Sequence, residues 1–167
     1  MQFGLYVVMG VSGSGKSLIG ALLARALDIE FVEGDTFHSA ENVARMSVGI
    51  PLTDEDRQAW LAAIATRLDA ARADPGLVVS CSALKRRYRD VLRAGRADVQ
   101  FVSLEGPRAV LEQRLADRRG HFMPSSLLDS QLAILEPPAP DEHAWACDIR
   151  EPSEVIVAGL VRRYLTR

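Results

Sequence analysis

The sequence predicts an α/β fold of three layers, with a parallel sheet of about five strands between helices on both faces. Three observations carry this. Short, nearly continuous apolar runs recur along the chain and alternate with longer stretches of helical periodicity, as parallel strands buried on both faces require. Gly10-Val11-Ser12-Gly13-Ser14-Gly15-Lys16-Ser17 fits G-x-x-x-x-G-K-[ST], the phosphate-binding P-loop. An apolar strand pattern over 5–9 precedes that loop and a helical pattern over 18–27 follows it, the context the motif needs.

The remaining elements come in order. Residues 29–33 make a short second strand ending in Gly34-Asp35. A short helix over 40–48 is stopped by Gly49 and Pro51. Thr53, with Asp56 three residues on, caps a long helix over 54–73 whose apolar stripe is Trp60, Leu61, Ile64 and Leu68. Asp74-Pro75-Gly76 ends it, and 77–81 is an all-apolar third strand. A strongly basic helix over 85–93 leads to the fourth strand, 99–104. Gly106-Pro107 turns into a helix reaching 118, which 120–124 breaks. A helix over 126–135, a stiff proline-rich connection, a fifth strand over 145–149 and a helix over 152–165 close the chain.

Bulk properties narrow the function. At 167 residues the chain reads as one domain. A net charge of −2 offers no electrostatic case for nucleic acid or an anionic membrane. No apolar run reaches membrane-spanning length. The two cysteines, Cys81 and Cys147, lie far apart in apolar surroundings. They read as buried thiols of a reducing compartment. The first strand starts at once, with no signal or transit pattern before it. The expected location is the cytoplasm.

The loop's chemistry is set by its residues. Gly10, Gly13 and Gly15 let the backbone wrap a phosphate without Cβ clashes. Amides from Ser12 to Ser17, at a helix N-terminus, point at the anion. Lys16 reaches the β- and γ-phosphates, and the Ser17 hydroxyl is the candidate Mg²⁺ ligand. The alternative, a Gly/Ser turn that happens to precede a helix, leaves the complete motif unexplained.

Four further constellations lie beside it. Asp35 stands just past the carboxyl end of the second strand, where ligands bind in open α/β sheets. Its carboxylate can hold an acceptor hydroxyl in line with a γ-phosphate. As a bland alternative it caps a turn. Glu33 is expected on the same side, as a water-mediated Mg²⁺ contact or a solvated strand end. His38 and Asn42 share a face if their segment is helical, although capping explains them as well. Lys85 and Arg89, four apart, give a cationic pair at the start of the basic helix, suited to an acidic acceptor. A solvated face or an RNA patch is the alternative, weak on a net-acidic chain. Arg114 and Arg118 share a helical face ahead of Gly120, like the base of a lid near 118–130. An ordinary helix end is the alternative there. The third strand ends in Ser80-Cys81-Ser82, without the aspartate that motor ATPases and signalling GTPases use for Mg²⁺. This favours a small-molecule kinase whose carboxylate comes from the second strand.

Taken together, these residues resemble the gluconate kinase family over most of the chain. The second block, Gly34-Asp35-Thr36-Phe37-His38 with Asn42, Met46 and Gly49, is similar to that family's G-D-x-x-H-P-x-x-N-x-x-K-M-x-x-G. Pro51-Leu52-Thr53-Asp54-Glu55-Asp56-Arg57 with Trp60-Leu61, then Cys81-Ser82-Ala83-Leu84-Lys85 with Tyr88-Arg89-Asp90, match two further blocks. Arg114-Leu115, Arg118, Gly120-His121-Phe122, Ser130-Gln131 and Leu135-Glu136-Pro137 match the family's lid and the segment beyond it. Ser39, Arg45 and Leu18 depart from the usual Pro, Lys and Thr. The resemblance implies an adenylate-kinase-like architecture, commonly a homodimer, and ATP- and Mg²⁺-dependent phosphorylation of D-gluconate at its terminal hydroxyl. It implies catalytic roles for Lys16, Asp35 and Arg118, and triphosphate contacts from the loop, Arg114 and Arg118. Arg57, Lys85 and Arg89 are the cations offered to the substrate carboxylate, with His38 and Gln131 as its hydrogen-bonding partners.

Two rival readings make different demands. A shikimate-kinase-like enzyme wants an Asp-x-Asp pair on the second strand and a glycine run after the third. Here those positions read Glu33-Gly34-Asp35 and Cys81-Ser82-Ala83. A non-catalytic nucleotide-binding regulator needs Lys16 and Ser17 but neither Asp35 nor the lid arginines.

Overall fold

The computed structural model describes residues 4–118 and 125–167. Five strands form one sheet: β1 (Gly4–Met9), β2 (Glu30–Glu33), β3 (Gly76–Ser80), β4 (Val99–Glu105) and β5 (Trp145–Asp148). Their order is β2-β3-β1-β4-β5 and every pair is parallel. Among the described residues, seven α-helices flank the sheet: α1 (Lys16–Leu27), α2 (Ala40–Ser47), α3 (Asp54–Ala70), α4 (Arg86–Arg93), α5 (Arg108–Asp117), α6 (Ser125–Ile134) and α7 (Ser153–Leu165).

The strand period of two divides β1 between two cores. Leu5, Val7 and Met9 pack with Trp60, Leu61, Ile64 and Leu68 of α3 and with Tyr88 and Leu92 of α4. Tyr6 and Val8 face Ile19 and Leu23 of α1, Leu128 of α6, and Ile156 and Leu160 of α7. Each such aliphatic side chain contributes about 1.5–3 kcal/mol by leaving water, so the central strand is pinned from both sides. All chemistry-bearing loops leave the sheet's carboxyl edge, above this pinned centre.

Local signals mostly place the elements as expected. Thr53 caps α3 in a complete capping box, its hydroxyl accepting the Asp56 amide while Asp56 accepts the Thr53 amide. The helix yields to a turn of 3-10 helix over Ala71–Ala73 before the proline. Ser39, where the resembled family has proline, caps α2: its hydroxyl accepts the Asn42 amide at 3.1 Å, a bond proline cannot offer. Cys81 is buried as expected, but Cys147 is only half-buried. It lies on β5, an edge strand whose Ala146 and Asp148 are exposed. Among the described residues, no helix is long and apolar enough to cross a membrane.

Candidate active site

The P-loop runs from the end of β1 to the first turn of α1. Gly13 and Gly15 hold φ values of 84° and 92°, the left-handed region that side chains other than glycine resist. Ser14 folds its amide onto the Val11 carbonyl at 3.2 Å. The amides of Gly13, Gly15, Lys16 and Ser17 have no partner among the described residues. The Ser14 hydroxyl is likewise buried without a partner among them. A concave run of unmet donors at a helix N-terminus fits a polyphosphate. Lys16 meanwhile folds its ammonium back on the Val11 carbonyl at 3.1 Å.

Electrostatics gather the expected catalytic groups around that lysine. Burial lowers the Lys16 pKa below its ordinary value. Asp35 and Glu33 oppose the fall, and Arg118 adds to it. Asp35 therefore lies within electrostatic reach of the phosphate site, and its side chain is open to solvent. Arg114 stands at the other wall. Its guanidinium bonds the Ile149 carbonyl and lies 3.8 Å from where a Cβ on Gly15 would sit. Arg118 is the C-cap of α5, where the chain leaves the helix, and its charge acts on Lys16. Gly120, His121 and Phe122 lie outside the described residues; the described part of the expected lid near 118–130 is Arg118 at the end of α5 and the start of α6, where Leu127 and Leu128 are buried.

Asp35 is positioned by contacts that the spacing of residues does not reveal. Residues Gly34–Phe37 form a turn of 3-10 helix at the end of β2. Gly34 is pressed against the sheet: a Cβ there would come within 2.0 Å of the Ser80 carbonyl. Its amide donates to the Ser80 hydroxyl at 3.3 Å, and that hydroxyl donates to Glu33. Its carbonyl accepts the Trp60 indole N–H at 2.8 Å. His38 stacks on Trp60, with ring centroids 4.0 Å apart. Burial holds the His38 pKa below its ordinary value, against the pull of Asp35. Trp60 reads only as core in the sequence, yet a buried indole N–H needs an acceptor. That demand is the signal that could have found it.

The acceptor-side cations divide. Arg57 and Lys85 converge on one ring, at 5.5 Å and 5.7 Å from the Tyr88 centroid. Arg57 also bonds the Leu52 carbonyl and the Tyr88 hydroxyl, and Lys85 lies 3.2 Å from Asp54. Arg89 does not join them. Lys85 is the extended N-cap of α4 rather than a helical residue, so the two never share a face. Arg89 is wholly buried and holds Glu142 with two bonds of 2.7 and 3.0 Å. It also donates to the Ala83 and Leu84 carbonyls. It braces the fold beneath the site and is not free for a substrate carboxylate.

Other expected partners are also moved. His38 precedes α2, and Asn42 bonds the Asp56 carbonyl at 3.1 Å, so they do not share a helical face. Arg45 ties Glu41 to Asp56. Gln131 does reach the site, but its Oε1 accepts the Ser12 amide at 2.7 Å. Its –NH₂ and the second lone pair of Oε1 remain for a substrate hydroxyl. Among the described residues, no group of three or more His, Cys, Asp or Glu forms a metal cage. The oxygen donor in place for a hard cation is the exposed Ser17 hydroxyl at the head of α1.

Comparison with known proteins agrees with this geometry. The model of the AAA domain family matches residues 5–138. A gluconokinase of Gluconobacter oxydans is 45% identical over 159 residues, covering 95% of this chain and 89% of its own length. The crystal structure of a gluconokinase from Sinorhizobium meliloti is 51% identical, with a TM-score of 0.86 over 96% of this chain and 93% of that one. That of an unliganded sugar kinase from Janibacter is 50% identical, with a TM-score of 0.90 over the same shares. The P-loop, the Gly34-Asp35 turn and the Arg57–Tyr88–Lys85 cluster thus sit in a chain matched along nearly its whole length, and the chain belongs to the gluconokinase family.

Proposed function

We propose that this protein transfers the γ-phosphoryl group of ATP to the terminal hydroxyl of D-gluconate, releasing ADP and 6-phospho-D-gluconate. The observation that carries the reading is Asp35: an exposed carboxylate, locked in place through Gly34 and Trp60, within electrostatic reach of Lys16. The P-loop amides and Lys16 bind the triphosphate. Asp35 accepts the hydrogen bond of the acceptor hydroxyl and takes its proton as the oxygen–phosphorus bond forms and the β–γ bridge breaks. Lys16, Arg114 and Arg118 offset the charge that moves onto the bridging and equatorial oxygens. Arg57 and Lys85 take the gluconate carboxylate, and neutral His38 accepts or donates to a hydroxyl along the chain. The Ser17 hydroxyl would be the protein ligand of Mg²⁺, which would supply positive charge to the triphosphate. A lid near 118–130, a homodimer and a cytoplasmic location belong to the same proposal, on the family likeness.

The test is an ADP-release assay with Mg-ATP against gluconate, shikimate, glycerate, AMP and no acceptor. Release with gluconate alone, with 6-phosphogluconate as product, is expected. Release with shikimate or AMP instead refutes the acceptor assignment. Asp35→Asn lowers kcat by ~10²–10⁴, the usual worth of a positioned acid or base, with ADP affinity kept. Normal turnover by that variant removes Asp35 from the role.

A further inference from the structure

The phosphoryl-transfer mechanism leaves one polar contact unused. Among the P-loop amides, Ser12 has a side-chain partner, the Gln131 Oε1 at 2.7 Å, from a helix 119 residues away in sequence. The helix that supplies it, α6, is fixed at several points. Leu127 and Leu128 are buried at its start. Just past its end, the Glu136 amide donates to the Leu84 carbonyl at 2.8 Å, and the Glu136 carboxylate accepts the Arg86 amide at 3.0 Å. The two partners flank Lys85: Leu84 precedes it in the loop after β3, and Arg86 is the first residue of α4. Apolar packing seats α6 near the loop, with Leu128 and Val11 in one buried cluster, and a pocket of about 210 Å³ lined by Gly10, Val11, Leu132 and Leu135 lies beside that contact. The Gln131 bond is the polar contact that fixes the loop backbone against α6.

We infer that Gln131 is a positioning residue: its carbonyl oxygen holds the P-loop backbone in its phosphate-ready shape and ties that loop, through α6 and Glu136, to the segment bearing the acceptor-side Lys85. The donor and acceptor halves are thereby held at one separation. In-line transfer needs this, because small misplacements of reacting groups cost large factors in rate. The role differs from the substrate contact that the family likeness offers for Gln131, and the two are separable. The part concerning the P-loop stands on ADP binding and does not depend on gluconate being the acceptor.

Gln131→Met keeps the side chain's length and removes its acceptor. The measurements are ADP affinity by calorimetry, steady-state KM for ATP and for gluconate, kcat, and Tm. The expected result is ADP binding weaker by about five-fold, the effect of one net hydrogen bond. KM for ATP rises in step, kcat falls at saturation, and KM for gluconate and Tm hold. A rise in KM for gluconate with ADP affinity unchanged would overturn the inference in favour of direct substrate contact. A lower Tm with affinities and kcat intact, or no change at all, would also overturn it. If the variant does not fold, amide exchange in the wild-type enzyme decides. Protection of the nucleotide-free Ser12 amide relative to Gly13 is expected, and equal exchange refutes the bond.

Discussion

Arg89→Met separates bracing from substrate binding. Arg89 has no exposed surface, and the side chain of its partner Glu142 is 1% exposed. Removing the guanidinium leaves that carboxylate, among the described residues, with Arg93 at 3.1 Å and the Ala139 amide at 2.8 Å. Breaking one side of a buried pair costs ~3–5 kcal/mol. Proton linkage gives a similar figure. Desolvation pushes the Glu142 carboxyl up, but the bonds from Arg89, Ala139 and Arg93 outweigh it and hold the pKa at about 2 against an ordinary 4.5. At about 1.36 kcal/mol per tenfold change in proton affinity, the difference is roughly 3 kcal/mol. Because the folded value is the lower one, this stability is present above pH 4.5 and is lost as pH falls toward 2. For a chain of this size the loss lowers Tm by about 6–20 °C. Scanning fluorimetry from pH 7 to pH 3 checks both claims. The variant's deficit is largest at pH 7 and shrinks as the wild type loses the same interaction. Gluconate KM, measured below the variant's melting range, stays within about twofold of wild type, because Arg89 has no nitrogen exposed to a substrate. Arg89→Met combined with Glu142→Leu recovers at least half of the deficit, since no unpaired charge remains. A tenfold rise in gluconate KM at unchanged Tm would refute the reasoning and return Arg89 to the substrate.

The acceptor side supplies two further outcomes. Trp60→Phe keeps the ring against His38 but leaves the Gly34 carbonyl without its 2.8 Å partner. The orphaned acceptor costs ~1–3 kcal/mol, and the loosened turn lowers kcat about tenfold with ADP affinity unchanged; full activity in urea-titrated, equally stable protein would show that the turn holds itself. The His38 imidazole titrates below 6.5, because burial outweighs Asp35. Its contribution to stability is thus present above pH 6.5 and is lost as pH falls below 6.5 through the lower folded value. Proton NMR of the imidazole is the check: Asp35→Asn lowers the midpoint further, and a wild-type midpoint above 6.5 contradicts the assignment.

The scaffold was legible in the sequence because its signals are redundant. Apolar runs, the capping box at Thr53 and the P-loop's flanks all agree with the observed elements. Two pairings drawn from spacing were not so protected, and they failed for one shared reason. Lys85 and Arg89, and His38 and Asn42, are each four residues apart, but a helix boundary falls between the members of both pairs. The i,i+4 rule holds only inside a helix, and sequence is least reliable about where helices end. In this fold the chemistry sits at those ends, so periodicity is weakest where it was asked to speak about function. Accounting for buried donors and acceptors is the better guide there. The Trp60 indole, the Ser12 amide and the Glu142 carboxylate each required a partner, and pursuing each requirement leads to Gly34, Gln131 and Arg89.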